Sequence, residues 1–254
     1  MRSTLRFGPG FARAALVLLV LAAWEAFARL TGVSRILIAP PSEVLWQVGR
    51  ILATWSDVPD FYLHAWVTLL ELLVAYALTA SLGVLLGALF AGSKLIGDAF
   101  EPILLVLYAI PKIILYPLIV LVLGIGMVPK IVFGVMVGIF VVIFNTAAGV
   151  RQVEPSYLGL ARSLGYSRRE TFFKVVLPAA APTILAGLRL GFGYTIIGII
   201  TGELLVVNAG LGFLIDWASF NYFTPQLYAL IIITLGVGVI GNGLFSVLER
   251  RWVR

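Results

Sequence analysis

The chain has 254 residues, of which 61% are hydrophobic and only 12% charged, against about 25% charged in an ordinary soluble domain. That composition excludes a typical soluble enzyme and points to a lipid bilayer as the solvent. The formal net charge is +6, which loops held in the cytoplasm explain without nucleic acid, and with no cysteine the chain has no disulfide, thiolate chemistry or Cys-ligated metal.

A spanning helix takes roughly 20 mostly apolar residues, so the length predicts about five to seven spans. The first apolar run, 11–30, follows Arg2, Arg6 and Arg13. Ala26-Phe27-Ala28 resembles a signal-peptidase site, but Trp24, Glu25 and Arg29 fit poorly with one. The run therefore reads as a retained span. Residues 32–61 are punctuated by Pro40, Pro41, Asp57, Pro59 and Asp60. Within them Val44, Leu45, Val48, Ile51 and Leu52 recur at helical spacing, with Ser42 as the expected N-cap of a short amphipathic helix. The expected division is 1–31, 32–61 and a core of 62–254.

In the core, a second span at 62–91 contains Glu71, and a loop is expected over 92–101. A third span, 102–123, contains Pro111-Lys112 and Pro117. A helix broken by proline belongs at membrane depth only where it is buried in protein or lines a cavity. A fourth span covers 128–150 and carries Asn145. A fifth covers 179–207, a loop 208–225, and a sixth span 226–248. The pairs Gly83/Gly87, Gly134/Gly138, Gly187/Gly191 and Gly198/Gly202 predict close helix packing. The intramembrane charges Glu71, Lys112, Arg189 and Glu203 either line a functional path or pair between helices.

Six spans put both termini on one side. Arg2, Arg6, Arg13, Lys94, Arg151, Arg162, Arg168, Arg169, Lys174, Arg250, Arg251 and Arg254 fall on that side, while Arg29, Arg35, Arg50 and Lys130 fall on the other. The bias makes the first side cytoplasmic. Gly236, Gly238 and Gly241 match GxGxxG, but inside an apolar span they read as helix packing rather than a dinucleotide loop. No GxxxxGK[ST] occurs, so the chain lacks the usual ATP-binding loop. His64 has no metal-ligand spacing around it. No catalytic arrangement is legible, and the chain reads as a non-enzyme.

The one long polar segment of the centre is 151–178. Glu154-Pro155 opens a helix, Tyr157, Leu160, Ala161 and Leu164 share one face, and Gly165 stops it. Ser167-Arg168-Arg169-Glu170 is a capping box that starts a second helix, and Pro178 marks the entry to the fifth span. The segment is either a docking element for a partner or an ordinary basic loop.

This segment resembles the signature loop of importer permeases of the ATP-binding cassette (ABC) class, EAA, three residues, Gly, nine residues, Ile-x-Leu-Pro. Gly165 followed nine residues later by Val175-Val176-Leu177-Pro178 fits, with Val for Ile. The triplet aligns with Gly159-Leu160-Ala161, so the glutamate of the pattern is absent. Ala39-Pro40-Pro41-Ser42, Pro111-Lys112, Tyr116-Pro117-Leu118, Gly124-Ile125-Gly126, Lys130, Ala161-Arg162-Ser163-Leu164-Gly165, Gly187-Leu188-Arg189, Glu203 and Gly210-Leu211-Gly212 look like the nitrate/sulfonate/taurine branch. At Glu71 that branch carries a residue more like arginine. The resemblance implies an all-α chain of six transmembrane helices with the type I ABC importer permease fold, in the bacterial inner membrane. It implies pairing with a second copy, two cytoplasmic ATPase subunits that bind the ATP and Mg, and an external solute-binding protein. The implied coupling residues are Tyr157, Leu160, Ala161, Arg162, Leu164, Gly165, Leu177 and Pro178. Pro111, Lys112, Pro117, Asn145, Arg189 and Glu203 are candidates for the path or its gate, and no cofactor sits in this chain. A gradient-driven transporter and a membrane scaffold are the competing readings.

Overall fold

Apolar runs of this length can satisfy their backbone in lipid only as helices, and among the described residues every regular element is helical. The computed structural model describes residues 9–54, 56–206 and 208–252. Arg2, Arg6 and Arg254, which carry part of the expected charge bias, and Val207, the expected end of the fifth span, lie outside the described residues. Among the described residues five helices are long and apolar enough to cross a membrane, and a sixth span forms if one bent pair is counted together.

Two units are distinguished by the contacts within the chain, the first comprising the residues up to Phe61 with Leu214–Thr234 and the second Tyr62–Phe213 with the residues from Leu235 onward. In the first unit, α1 (Pro9–Leu30) presents its apolar side chains outward, as a lipid-facing helix does. α2 (Pro41–Leu52) corrects the expected cap. Its N-cap is Pro40, which makes no side-chain cap, and Ser42 lies inside the first turn. Pro41 has no N–H to satisfy, so the first orphan donor is the Ser42 amide. It donates to Glu25 Oε2 of α1 at 3.0 Å, while the Ser42 hydroxyl donates to Glu25 Oε1 at 2.7 Å. A carboxylate from another helix thus caps α2, where the helix dipole favours negative charge. In the same unit the Thr224 hydroxyl donates to the Ile36 carbonyl at 2.6 Å, and the rings of Trp24 and Tyr228 lie 5.7 Å apart.

The second unit begins one residue inside α3 (Phe61–Gly92), at Tyr62. The loop expected over 92–101 is instead helix: α4 (Lys94–Ala109) starts directly after Ser93, whose hydroxyl accepts from the Ile96 amide. A side-chain cap lets the chain restart with almost no loop. Ile110 is extended, the conformation proline favours in the residue before it, and Pro111 leads into a 3₁₀ turn, Lys112–Leu115, then α5 (Tyr116–Leu123). The two halves are bent by 82°. Pro117 sits in the first turn of α5, where its missing N–H costs nothing, so the break belongs to Pro111 alone.

α6 (Met127–Arg151) follows, then α7 (Pro155–Ser163), α8 (Arg168–Thr171), a π turn over Phe172–Val176 and α9 (Leu177–Leu205). α6 and α9 pack closely along their length. A Cβ on Gly198 would stand 2.7 Å from the Gly134 Cα, and one on Gly83 of α3 2.7 Å from the Val142 side chain. The small-residue pairs therefore do what their spacing predicts. The expected loop 208–225 is also corrected, because it contains α10 (Leu211–Phe220). Ten residues rise only about 15 Å, too short to read as a span, and the apolar pattern hides the helix from a search at membrane length. α11 (Thr224–Trp252) closes the chain. Gly236, Gly238 and Gly241 lie in mid-helix, where a Cβ on Gly241 would run into the Phe192 ring.

Candidate functional site

The 154–178 segment is built as its capping signals require. Pro155 opens α7 and Glu154 is its N-cap residue. At the other end Gly165 has φ +75°, the left-handed conformation glycine takes without penalty. Its amide donates to the Arg162 carbonyl and the Tyr166 amide to the Ala161 carbonyl, each at 3.0 Å. That 5→2 and 6→1 pair is a Schellman closure. The capping box then starts α8 two residues later, with the Ser167 hydroxyl accepting from the Glu170 amide and the Glu170 carboxylate accepting from the Ser167 amide. Lys174 pairs with Glu170 at 3.0 Å and stands 4.9 Å over the Tyr166 ring.

The expected single face of α7 divides in two. Tyr157, Leu160 and Leu164 are 51%, 60% and 62% exposed, whereas Ala161 is 1% exposed. Ala161 is the packing contact, and the other three form the outward apolar patch. Arg162 is exposed beside them. A Cβ on Gly159 would meet open space. Leu177 is half-buried and Pro178 exposed. Pro178 does not interrupt the helix, because it falls in the first turn of α9 just after the π turn. The wider π turn accommodates a residue without an amide donor.

The intramembrane charges fall into two groups. Glu71, Lys130 and Glu203 are all wholly buried. Lys130 Nζ stands 2.8 Å from Glu71 Oε1 and donates to the Ala209 carbonyl at 3.0 Å. The first contact is a buried ion pair between α6 and α3. Glu203 accepts from the Thr68 hydroxyl and the Gly212 amide, both at 2.7 Å. Thr68 in turn accepts from the Leu211 amide at 2.7 Å, and His64 Nδ1 accepts from the Gly210 amide at 3.1 Å. The Tyr116 hydroxyl donates to the Gly202 carbonyl at 2.9 Å. The turn 209–212 is thus held by side chains of α3, α6 and α9.

Arg189 stands apart on the exposed side of α9. Its Nε donates to Asn242 Oδ1 of α11 at 3.0 Å, and it lines an open cleft of about 470 Å³ with Gly193, Tyr194, Ile197 and Asn242. Lys112 donates to the Tyr108 carbonyl at 2.8 Å and lies about 5 Å from the rings of Tyr108 and Phe140. Asn145 folds back on its own helix, donating to the Val141 carbonyl at 2.8 Å, and packs where a Cβ on Gly187 would strike it. Pro111 sits at the bend, outside the Arg189 cleft.

Reading the sequence missed Lys130, Thr68 and His64 as one constellation. Lys130 was counted among the charges of the side opposite the termini. Its burial arises because α3 and α9 close over it, which no local pattern reports.

A family model described as "Binding-protein-dependent transport system inner membrane component" matches residues 81–254. Among curated relatives, the nitrate import permease protein NrtB of Leptolyngbya laminosa is 30% identical over 90% of this chain and 86% of its own. The formylaminopyrimidine transport permease protein ThiX of Halalkalibacterium halodurans is 28% identical over 92% and 91%. SsuC of Bacillus subtilis, named as an aliphatic sulfonates transport permease, is 28% identical over 92% and 84%. Among solved structures, an inward-facing conformation of the MetNI methionine ABC transporter superposes with a TM-score of 0.66 at 18% identity, covering 74% of this chain and 94% of that one. That last likeness bears on the fold.

Proposed function

Because the chain belongs to the family of binding-protein-dependent transport system inner membrane components, we propose that it is the translocating permease of an ATP-driven importer, moved by a separate ATPase through α7. As a multi-pass inner-membrane permease it works with an ATPase and a solute-binding protein, as ABC importers do. The finer arrangement is our reading. Two copies pair, both termini face the cytoplasm, and α7 seats its outward apolar patch in a groove on the ATPase.

The observation that carries this reading is the patch of Tyr157, Leu160 and Leu164 on a short helix whose neighbour, Arg168–Leu205, is one helical run long and apolar enough to cross a membrane. An exposed apolar cluster on a polar segment marks an interaction surface. Closure of the ATPase pair on ATP would draw the two α7 helices together and rock α9. The relatives' names support a small nitrate-like, sulfonate-like or related organic solute, and the family resemblance adds taurine. The Arg189 cleft suits such cargo. An arginine exposed in mid-helix of a span faces water or a partner rather than lipid, and its planar donors fit oxyanions. Pro111, Lys112, Pro117, Asn145 and Glu203 would shape or gate the path rather than bind solute.

The test is purification with the candidate ATPase and reconstitution in liposomes. ATP hydrolysis stimulated by the external binding protein, with uptake dependent on ATP, is the expected result. Uptake without ATP, or an ATPase that does not co-purify, overturns it.

A further inference from the structure

The apolar positions of α2 do not form the single stripe expected of an amphipathic helix. Val44 and Ile51 are buried, whereas Leu45 and Trp46 are 61% and 68% exposed, and Leu52 is exposed as well. Leu45, Trp46, Gly49 and Leu52 share one side by helical spacing, and a Cβ on Gly49 would meet open space. The turn before α2 adds Ile36 and Leu37, both exposed, while their carbonyls accept from the Thr224 and Tyr228 hydroxyls. α2 thus carries a second apolar face, turned outward. Apolar side chains gathered in this way mark a contact surface, which scattered ones do not.

What covers that face follows from where α2 is tied. The Ser42 amide and hydroxyl both donate to the Glu25 carboxylate of α1. The stretch Gly10–Leu30 of α1 is long and apolar enough to cross a membrane, and its rise matches the roughly 30 Å hydrocarbon core. Glu25 lies about 8 Å short of its Leu30 end. α2 therefore starts beside the crossing helix, at the boundary between acyl chains and headgroups, and not beyond it. Trp24 and Tyr228, 5.7 Å apart, stand at the same level, where aromatic side chains collect in membrane proteins. Phe27 and Leu30 of α1 are exposed there too. At its other end only residues 53–60 separate α2 from α3, a second crossing helix.

We propose that the outward face of α2 is a lipid-contact surface, which seats the helix along the membrane–water boundary with Leu45 and Trp46 among the upper acyl chains. The partner is ordinary phospholipid. Arg29 pairs with Glu25 and Arg35 with Glu43, so these cations are already matched and the face binds by apolar contact, without a need for anionic headgroups. The Trp46 ring suits the position, since its body is apolar and its one N–H can reach the wetter headgroup layer. Seated in this way, α2 holds the end of α1 at the membrane surface through the Glu25 and Ser42 contact.

The sequence has no cysteine, so a nitroxide label can be placed at one site at a time in the full chain. Leu45→Cys, Trp46→Cys and Gly49→Cys, labelled and reconstituted in phosphatidylcholine nanodiscs, should collide more with oxygen, which gathers in lipid, than with a water-soluble nickel chelate. The ratio of the two should set the labels about 5–10 Å below the headgroup boundary. Asp57→Cys, at an exposed position after α2, is the water-facing control and should show the opposite preference. Gly49→Cys places its side chain in open space, which keeps the test decisive if a larger replacement disturbs the helix. A second measurement needs no label. The tryptophan fluorescence lost in Trp46→Phe should be quenched in wild type by lipid brominated on the upper acyl chain. Labels as open to the chelate as Asp57→Cys would put the face in water, and labels shielded from both reagents would put it against a second copy or another protein. Either result overturns the proposal, as does a Trp46 signal that brominated lipid leaves unquenched.

Discussion

Lys130 and Glu71 lie 2.8 Å apart with neither side chain exposed, joining the first turn of α6 to the middle of α3. Removing one member of a buried pair leaves the other uncompensated, typically at a cost of about 3–5 kcal/mol. Lys130→Met is therefore expected to lower stability by that order, and the double variant with Glu71→Gln to recover much of it. Thermal unfolding of the detergent-solubilised chain, read by tryptophan fluorescence, distinguishes the two. A double variant no more stable than Lys130→Met would mean that the lysine acts mainly through the Ala209 carbonyl.

On α7, Leu160→Asp should weaken ATPase association by at least about tenfold, as charging the centre of an apolar contact does, while leaving the chain inserted. Gly159→Glu is the control. The added side chain meets open space and restores the carboxylate of the family-type loop, so pull-down of the ATPase should be retained or strengthened. Equal pull-down by wild type and Leu160→Asp would remove α7 from the docking surface.

Gly165 supports that surface from its C-terminal end. Alanine there must take a left-handed conformation costing roughly 1–2 kcal/mol. Proline would in addition abolish the amide that bonds Arg162. Transport coupling should fall in the order wild type, Gly165→Ala, Gly165→Pro, measured as solute moved per ATP hydrolysed.

Two glycines two residues apart on α9 should respond in opposite ways. A Cβ at Gly191 would collide with Val142 of α6, whereas one at Gly193 meets nothing. Gly191→Leu is expected to cost about 1–3 kcal/mol by overpacking. Gly193→Ala should be neutral or slightly stabilising in a helix interior. Melting temperatures of the two variants settle the comparison.

For solute handling, Arg189→Gln removes a cationic donor from the cleft. A charged hydrogen bond is worth about 1.5–3 kcal/mol, so an anionic solute should show a transport KM raised by about tenfold or more. Basal ATP hydrolysis should stay intact. An unchanged KM would place the path elsewhere.

Much of this architecture follows from local chemistry. Gly165, the Ser167 and Glu170 box and the Pro155 start are rules about a few consecutive residues, and each folds as those rules require. The small-residue pairs were legible for a similar reason, since spacing alone fixes which side of a helix is thin. Ser42 was misread because its partner, Glu25, comes from a different helix. Lys130 was misread because its burial depends on residues 59 positions before it and 73 after it (Glu71 and Glu203). The first turns of α4, up to residue 101, and the whole of α10 were taken for loop because a search at membrane length ignores apolar helices that begin at a cap or stop early.

The π turn at Phe172–Val176 has a consequence for how this protein can vary. A π turn holds one residue more than an α turn, and each helical residue advances the azimuth by about 100°. The turn therefore acts as a phase offset between α8 and α9. Deleting one residue within 172–176 would restore α geometry and swing everything before it around the α9 axis by about that angle, while a conservative substitution would leave the bearing unchanged. The segment should thus tolerate changes of residue far better than changes of length.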